Sequence, residues 1–427
     1  MRTYHEPARD IPISNEVDVL VVGSGPAGVS AAIWAGRMGA KTLLVEQGGM
    51  VGGIATAGLM SHWTGNTQGG FYEEILDRSA DNPALRQTIN PERLRSVLLE
   101  MLDEAGTSLR LYTFACGVIM DGSHLQGILT ESKSGREAIL AKVIVDASGD
   151  GDIAAKAGAP YVLGREGDSM MQPMTLMFKV GGVEDDKVEY LPGAFEDNYV
   201  YAKGPGQDLA KKEIPYPAGH LLVYKSTLPG VITCNMTNAI GLDGTKAEDL
   251  TKAEQVCRSQ IPAIISFLRK NIPGFEKCYV LSSASLIGVR ETRHFIGEYI
   301  LTKEDIEQAR QFPDWIVTRA HFNFDVHNIT GSGLDTTGIQ KHFSQKKGYT
   351  IPYRCLIPAK VDGLLLAGRN ISGTHIAHSN YRVMPICANM GQAAGIAAAL
   401  CARDNIMPRD LNVGAVQKVL LENGVQP

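Results

Sequence analysis

None of the seven cysteines has a close neighbour. They stand at positions 116, 234, 257, 278, 355, 387 and 401, with no Cys-x-x-Cys or Cys-x-x-x-x-Cys pair among them. That spacing argues against disulfide-exchange chemistry, and the scattered thiols read as reduced and mostly buried, as expected of a cytoplasmic protein. A charge surplus is also missing: 41 basic against 46 acidic residues leave a net charge of -5 over 427 residues. Binding to nucleic acid or to an anionic membrane surface is therefore not expected. The most apolar late stretch, 386–401, is interrupted by Asn389 and Gln392 and reads as too short to span a bilayer. Residues 1–15 are polar and hold no apolar signal region. No internal repeat and no low-complexity tail are found. The length exceeds one ordinary hydrophobic core, so two domains are expected.

Against these absences stands one dense motif. The apolar run Val17-Asp18-Val19-Leu20-Val21-Val22 leads into Gly23-Ser24-Gly25-Pro26-Ala27-Gly28, and a small-residue stretch, 29–38, follows. This is Gly-x-Gly-x-x-Gly between a strand and a helix. Gly23 permits the tight turn, Gly25 lets the backbone approach a pyrophosphate, and Gly28 lets helix and strand pack closely. The free N–H groups and the positive dipole end of the helix then face the phosphates. A second apolar strand, 41–45, ends in Glu46, where a carboxylate can accept ribose hydroxyl hydrogen bonds. Strand, glycines, helix, strand and acid in this order predict a dinucleotide site.

The rest of the chain is organised around that motif. Gln47-Gly48-Gly49-Met50-Val51-Gly52-Gly53 is a glycine-dense loop able to lie against a ligand. Asn90 and Pro91 open a helix that Gly106 ends, with Leu94, Val97, Leu98, Met101 and Leu102 on one face. Short strands are expected at 109–113, 117–120 and 125–130. An apolar run, 138–145, closes on Asp146-Ala147-Ser148-Gly149-Asp150-Gly151-Asp152. Beyond 164 the glycine turns give way to strands at 174–180, 221–225, 230–235 and 279–287. A helix is expected over 247–271 and a short one over 303–311. Thr302 precedes the latter, with Asp305 where a capping box usually has Glu or Gln. The segment 318–348 is a long, basic, histidine-rich loop. The first character returns with a buried-strand pattern at 361–367, then Gly368-Arg369-Asn370, a loop bearing His375 and His378, and a helix over 385–400 opened by Pro385. The expected architecture is α/β. A discontinuous Rossmann-like nucleotide-binding domain is built from 1–163 and 350–427, and an α+β substrate domain, 164–349, stands between the two parts.

Four further stretches narrow the assignment. Val145 to Asp152, Gly288-Val289-Arg290-Glu291-Thr292-Arg293, Phe324-Asp325-Val326-His327 and Arg382-Val383-Met384-Pro385 occur in that order. With the glycine turn, they resemble the FAD-dependent oxidoreductase family, of the glutathione-reductase-like flavoprotein fold. The resemblance covers almost the whole chain and implies bound FAD. It implies that Gly23, Gly25, Pro26, Ala27 and Gly28 admit the pyrophosphate and that Glu46 holds the adenosine ribose. It also implies cofactor contacts from Gln47, Gly53, Cys116, Ala147, Gly149, Asp150, Gly368 and Arg369. The helix from Pro385 would present the N–H groups of Ile386 and Cys387 to the flavin edge, where negative charge accumulates on reduction.

On the substrate side, Arg382 precedes the flavin-edge helix and is a candidate for binding an anionic substrate, or for a salt bridge joining domains. His375 and His378 are candidate acceptors of a hydroxyl or amine proton. Arg290, Arg293 and His294 form a cationic run that can clamp a carboxylate or pair with Glu291 or Glu298. His327 is expected to line the pocket, and His62 and Asn66 to border the isoalloxazine. No metal site is expected, because His321, Asp325 and His327 resemble loose ligands with no further cluster behind them. Only one dinucleotide fingerprint is present, since Gly331-Ser332-Gly333-Leu334 lacks the strand before it and the helix after it. The expected activity is hydride transfer between a small polar substrate, anionic or hydroxylated, and flavin N5. The electron acceptor is left open among oxygen, NAD(P) and a partner protein. The alternatives are an FAD-bearing electron-transfer subunit and a flavin-dependent reductase of an activated C=C bond.

Overall fold

The computed structural model describes residues 2–335 and 347–427, so 336–346, within the long loop, lie outside the described residues. The first apolar strand, β1 (Ile13–Val22), pairs in parallel with β2 (Thr42–Val45), and α1 (Pro26–Arg37) crosses between them. Asn90 caps α2 (Pro91–Glu104), its side chain accepting from the amides of Glu92 and Arg93. The chain then adds β3 (Ser108–Arg110), β4 (Phe114–Asp121), β5 (His124–Ser132) and β6 (Gly135–Asp146). In space the order is β3-β2-β1-β6-β5-β4. The β1, β2, β3 and β6 pairings are parallel, and β4 and β5 return antiparallel. The expected strands near 109–130 therefore exist with shifted ends.

A second sheet of four antiparallel strands follows: β7 (Phe178–Gly181), β8 (Val223–Lys225), β9 (Ile232–Cys234) and β10 (Tyr279–Ser283). The helix α3 (Ala247–Asn271) spans the whole predicted range and brings Cys257, Ile261, Ile264, Ile265 and Leu268 into the same core as these strands. The hydrophobic residues fall into two clusters. One spans Val17 to Ala159 and resumes at Phe295; the other runs from Met174 to Ala284. Buried residues from Phe295 to Tyr349, expected with the middle segment, thus pack on the first core.

The C-terminal return is the part that shapes the site. Strand β11 (Leu364–Leu366) pairs in parallel with the end of β6. The stretch bearing His375 and His378, read from sequence as a loop, is a short helix, α4 (His375–Tyr381), capped by the Thr374 side chain on the Ala377 amide. Next comes α5 (Met384–Asp404), with 19 consecutive residues buried, from Met384 to Ala402. At 21 residues it is, contrary to the sequence reading, long and apolar enough by composition to cross a membrane, but the fold covers all of it except Arg403 and Asp404. It lies on α1 through two glycines. A β-carbon on Gly391 would fall 2.0 Å from the Ala27 carbonyl oxygen, and one on Gly395 would fall 2.2 Å from that of Ala31. Because 391 meets 27 and 395 meets 31, the two helices run in the same direction. α5 therefore starts about 9 Å beyond the start of α1, at 1.5 Å per residue. The alanines Ala393, Ala394, Ala397 and Ala398, expected to form the packing face, are all buried, but the closest approach is made by glycines.

Candidate active site

The glycine turn is shaped as its sequence requires. Gly23 has φ +94°, and a β-carbon on it would lie 2.4 Å from the Ala147 oxygen; one on Gly28 would lie 1.8 Å from the Gly23 oxygen. Gly25 differs: a β-carbon there would meet nothing within 4 Å. The space above Gly25 is open, and α1 begins there with no side chain capping its free N–H groups. The loop ending in Gly53 closes onto the same point, within 2.8 Å of the Gly25 Cα from a β-carbon position. Glu46 braces this cradle. One carboxylate oxygen accepts from the Ser24 amide and hydroxyl at 2.9 and 2.7 Å, and the other accepts from the Gly48 amide at 2.6 Å. The oxygen bonded to Gly48 still has a lone-pair site for a ribose hydroxyl, whereas the two Ser24 donors fill the other. Gln47 is exposed beside it. Cys116 lies at a bulge of β4 with its thiol on the Leu129 carbonyl.

Asp150 is the next node. Its Oδ1 accepts from Thr292 Oγ1 at 2.7 Å and from Arg369 Nη2 at 3.1 Å, while Arg293 Nη1 reaches its backbone oxygen and Asp152 Oδ1, both at 2.8 Å. Arg369 also lies where a β-carbon on Gly149 (φ +89°) would touch it at 2.8 Å. Upstream, the buried Asp146 accepts from the amides of Ser148, Ile153 and Ala154 and so fixes the loop between them. Gly368, at φ +97°, faces the Ala27 side chain. An open backbone cradle at an uncapped helix start, a ribose-side acid and a braced Asp150–Arg369 pair fit the pyrophosphate half of a dinucleotide.

The cationic run does not act as one clamp. Arg293 is taken by Asp150 and Asp152, and His294 by Glu291. Arg290 turns the other way, with Nη1 donating to the Pro173 oxygen and to Thr175 Oγ1 at 2.6 and 2.7 Å. There it approaches Arg382, which precedes α5. Arg382 Nη2 donates to both the backbone oxygen and Oδ2 of Asp325 at 2.9 Å, and His327 Nε2 stands 3.3 Å from the same Oδ2. The remaining guanidinium nitrogens of Arg290 and Nη1 of Arg382 have no partner among the described residues and are not sealed from solvent-sized space. Burial, then the neighbouring Arg382, lowers the Arg290 guanidinium to about 10. Burial would raise Asp325, but His327 and the two guanidiniums outweigh it and hold the carboxyl well below its usual range. His327 is depressed to about 4 by burial and then by Arg290, against the pull of Asp325. The group holds two fixed positive charges and one negative. His321 does not join Asp325 and His327; it lines a cleft of about 290 Å³ with His62, Asn66, Gln87 and Asn323. That cleft reaches the start of α5, since a β-carbon on Gly65 in its wall would lie 2.8 Å from Val383. His62 is linked inward by its ring, 4.5 Å from that of Tyr224.

Glu291, seen in the sequence only as a pairing partner for its neighbours, is a centre of its own. Its Oε1 accepts from His294 Nε2 at 2.8 Å and from His375 Nδ1 at 2.5 Å, and its Oε2 from the Gln172 amide at 3.0 Å. The Glu291 side chain is fully buried, and those two histidines nearly so. Burial would raise this carboxyl, yet the two imidazole hydrogen bonds keep it far below the usual carboxylate range. His378 stands edge-on to His294 with ring centroids 5.0 Å apart, and burial pushes its basicity well down. Nδ1 of His378 is sealed and unpartnered, so His378 offers nothing to a substrate through that atom. The donor atoms of Glu291, His294 and His375 lie within 4.8 Å of one another, close enough to be considered as metal ligands. Pro385, Ile386 and Cys387 open α5 behind the Val383 N-cap, which offers no side-chain cap. The Cys387 thiol is spent on the Arg382 and Tyr381 carbonyls, and burial raises it to about 12.

A mixed sheet whose parallel part carries a glycine turn at the end of its first strand, a brace of acid behind it and a C-terminal strand completing it defines a Rossmann-type nucleotide-binding protein. Residues 18–420 match the model of the FAD dependent oxidoreductases, and the chain belongs to that family, with FAD as its cofactor. The digeranylgeranylglycerophospholipid reductase of Picrophilus torridus is 24% identical over 213 residues, 44% of this chain and 54% of that protein. The fumarate reductase (cytochrome) of Shewanella frigidimarina is 51% identical over 51 residues, 11% of this chain and 9% of its own length. The chain thus spans about half or less of these curated relatives. A geranylgeranyl bacteriochlorophyll reductase-like structure from Thermoplasma acidophilum superposes with a TM-score of 0.51 at 15% identity, covering 96% of this chain and 84% of that one. That likeness is one of fold.

Proposed function

We propose that this FAD-dependent oxidoreductase exchanges a hydride with a small polar substrate that carries an anionic group beside the carbon oxidised or reduced. The observation that supports it is the Arg290–Arg382–Asp325 arrangement just before the cofactor-side helix, in which Arg382 pairs with the Asp325 carboxylate while the buried Arg290 guanidinium lies close enough to feel both and has no carboxylate partner among the described residues. One positive charge is left over in a buried setting, and a substrate carboxylate or phosphate neutralises it. When bound, FAD supplies the two-electron acceptor or donor. The protein's own groups divide the rest. Arg290 and Arg382 hold the anion through their free nitrogens, the Asp325 carboxylate offsets part of the repulsion between the two guanidiniums, and His375 Nε2 takes the proton of the substrate hydroxyl or amine. With the direction reversed, the same groups serve reduction of an activated double bond, His375 then giving the proton.

The test is anaerobic bleaching of the flavin by a panel of hydroxy acids, sugar acids, neutral sugars, amines and NAD(P)H. Anionic hydroxylated compounds are expected to bleach it and their neutral analogues to fail. Bleaching by neutral sugars as fast as by their acids overturns the anionic reading. Reduction only in the presence of a partner protein favours an electron-transfer subunit instead. Reoxidation of the bleached protein by oxygen, by NAD(P)⁺ or by an added protein identifies the acceptor.

A further inference from the structure

We propose that Glu291 is a positioning residue that sets the tautomer of His375, with Gln172 and His294 completing its hydrogen-bonding shell. This rests on His375 being the proton acceptor of the reaction proposed above. Nδ1 of His375 is 2.5 Å from Glu291 Oε1. A carboxylate accepts only, so the proton of that contact sits on Nδ1. In the neutral imidazole, Nε2 of His375 is then a bare lone pair. It has no hydrogen-bond partner among the described residues and, unlike Nδ1 of His294 and Nδ1 of His378, it is not sealed off. A histidine with one nitrogen on a buried acid and the other open is the arrangement in which an acid orients a general base.

The surroundings are built to hold Glu291 rather than His375 alone. Three donors converge on its two oxygens, from Gln172, His294 and His375, so the ionised acid is satisfied without a cation beside it. Gln172 continues the chain of contacts: its side-chain oxygen accepts from the His327 amide at 3.1 Å, tying the Glu291 shell to the anion-binding group. The backbone amide of His375 donates to Glu166 at 3.1 Å, which fixes the first turn of α4. His294 also decides between this reading and a metal site. As a ligand through Nε2 it would carry its proton on Nδ1, and that atom is buried with no acceptor. As a donor to Glu291 it leaves only an unpaired lone pair there, and metal-bound histidines ordinarily have an acceptor for the second nitrogen. In the oxidative direction bound FAD would supply the two-electron acceptor for the hydride of the substrate C–H bond. The O–H proton passes to His375 Nε2, and a C=O double bond forms. Glu291 keeps its charge throughout.

The tautomer is read directly in the FAD-bound protein labelled with ¹⁵N-histidine, by long-range proton–nitrogen correlation at pH 8, with His375→Gln and His294→Gln assigning the signals. His375 is expected with its proton on Nδ1 and a bare Nε2, and Glu291→Gln is expected to lower that tautomer preference by roughly tenfold or more. A proton on Nε2 in the wild-type protein, protons on both nitrogens, or one equivalent of tightly bound transition metal overturns the proposal, and these readings need no variant of Glu291. Kinetically, Glu291→Gln is expected to slow flavin reduction roughly 10²-fold by any compound the panel identifies, with FAD content and substrate affinity unchanged. An unchanged reduction rate overturns it as well. If no panel compound reduces the flavin, the hydride-transfer reading fails while the tautomer still decides the role of Glu291.

Discussion

Arg382 and Asp325 are joined twice, through the side chain and the backbone of the acid, each at 2.9 Å. The double contact fixes the guanidinium plane one residue before the N-cap of α5 and leaves Nη1 free. Arg382→Ala is expected to retain FAD, because the pyrophosphate cradle lies elsewhere. It is expected to slow flavin reduction by an anionic substrate roughly 10²-fold. Stopped-flow bleaching against FAD content per chain separates the two effects, and unchanged reduction kinetics would remove Arg382 from the site.

The three glycines of the turn separate folding from cofactor binding. A methyl on Gly25 meets open space, so Gly25→Ala is expected to change the stability of the FAD-free protein by under about 1 kcal/mol. The same methyl occupies the cradle, and FAD affinity is expected to fall by at least about tenfold. Gly28→Ala places its β-carbon 1.8 Å from a backbone oxygen and is expected to cost about 3 kcal/mol or more, read by urea unfolding. Equal destabilisation by the two variants would contradict this geometry.

Acid should loosen the fold before it protonates the low carboxylates. His220 is lowered to about 3 by burial, and His327 and His62 to about 4, from the ordinary histidine value of 6.5. Between these values the unfolded chain binds more protons than the folded one, so stability falls as pH drops below about 6.5 and continues to fall toward about 4. Glu291 and Asp325 are shifted downward, so their stabilisation is present above their unfolded values and is lost only as pH falls further. Urea midpoints at pH 7.5, 6 and 5 should decrease in that order. His220→Gln keeps a donor for the Asn235 carbonyl that His220 Nε2 contacts at 2.9 Å, and should flatten the slope by about one proton. A pH-independent midpoint over this range would show that these histidines are not held neutral.

The short helix Lys303–Glu307 offers a check on local sequence rules. Thr302 and Asp305 form a complete capping box, with the Asp305 carboxylate accepting from the Thr302 amide at 3.0 Å. Asp305 also holds Tyr299 and Arg310. Asp305→Ala is therefore expected to cost more than a cap alone, about 2 kcal/mol or above, in equilibrium unfolding.

The nucleotide half of the molecule was legible because its rules are local. The glycine turn and Asn90 before Pro91 each act within a few residues. The reaction side was not. His375 and His378 stand among Gly, Thr and Ser, a composition that reads as a loop, although Thr374 is a usable N-cap and supplies the helix start in the structure. Glu291 and Arg290 are adjacent in sequence but serve different groups, Arg290 reaching Pro173 and Thr175 and Glu291 reaching the two histidines and Gln172. The partners of Glu291 lie 119, 3 and 84 residues away, and no periodicity encodes such distances. Asp325, read as part of a weak ligand set with His321, gained its meaning only when α5 brought Arg382 to it.

The glycine seam between α1 and α5 has a consequence for how such an enzyme changes. Gly391 and Gly395 rest on the carbonyls of Ala27 and Ala31, so the stagger between the two helix starts is set by backbone touching backbone. One of those starts is the open, uncapped end above Gly25 and the other stands beside Arg382. A mutation in the seam therefore shifts both ends together, and the grip on the cofactor and the charge presented to the reacting end are tied to one mechanical coupling. Tuning the reaction without losing the cofactor has to come from outside that seam, from residues such as Arg290, Asp325 and Glu291 that approach the site from the rest of the fold.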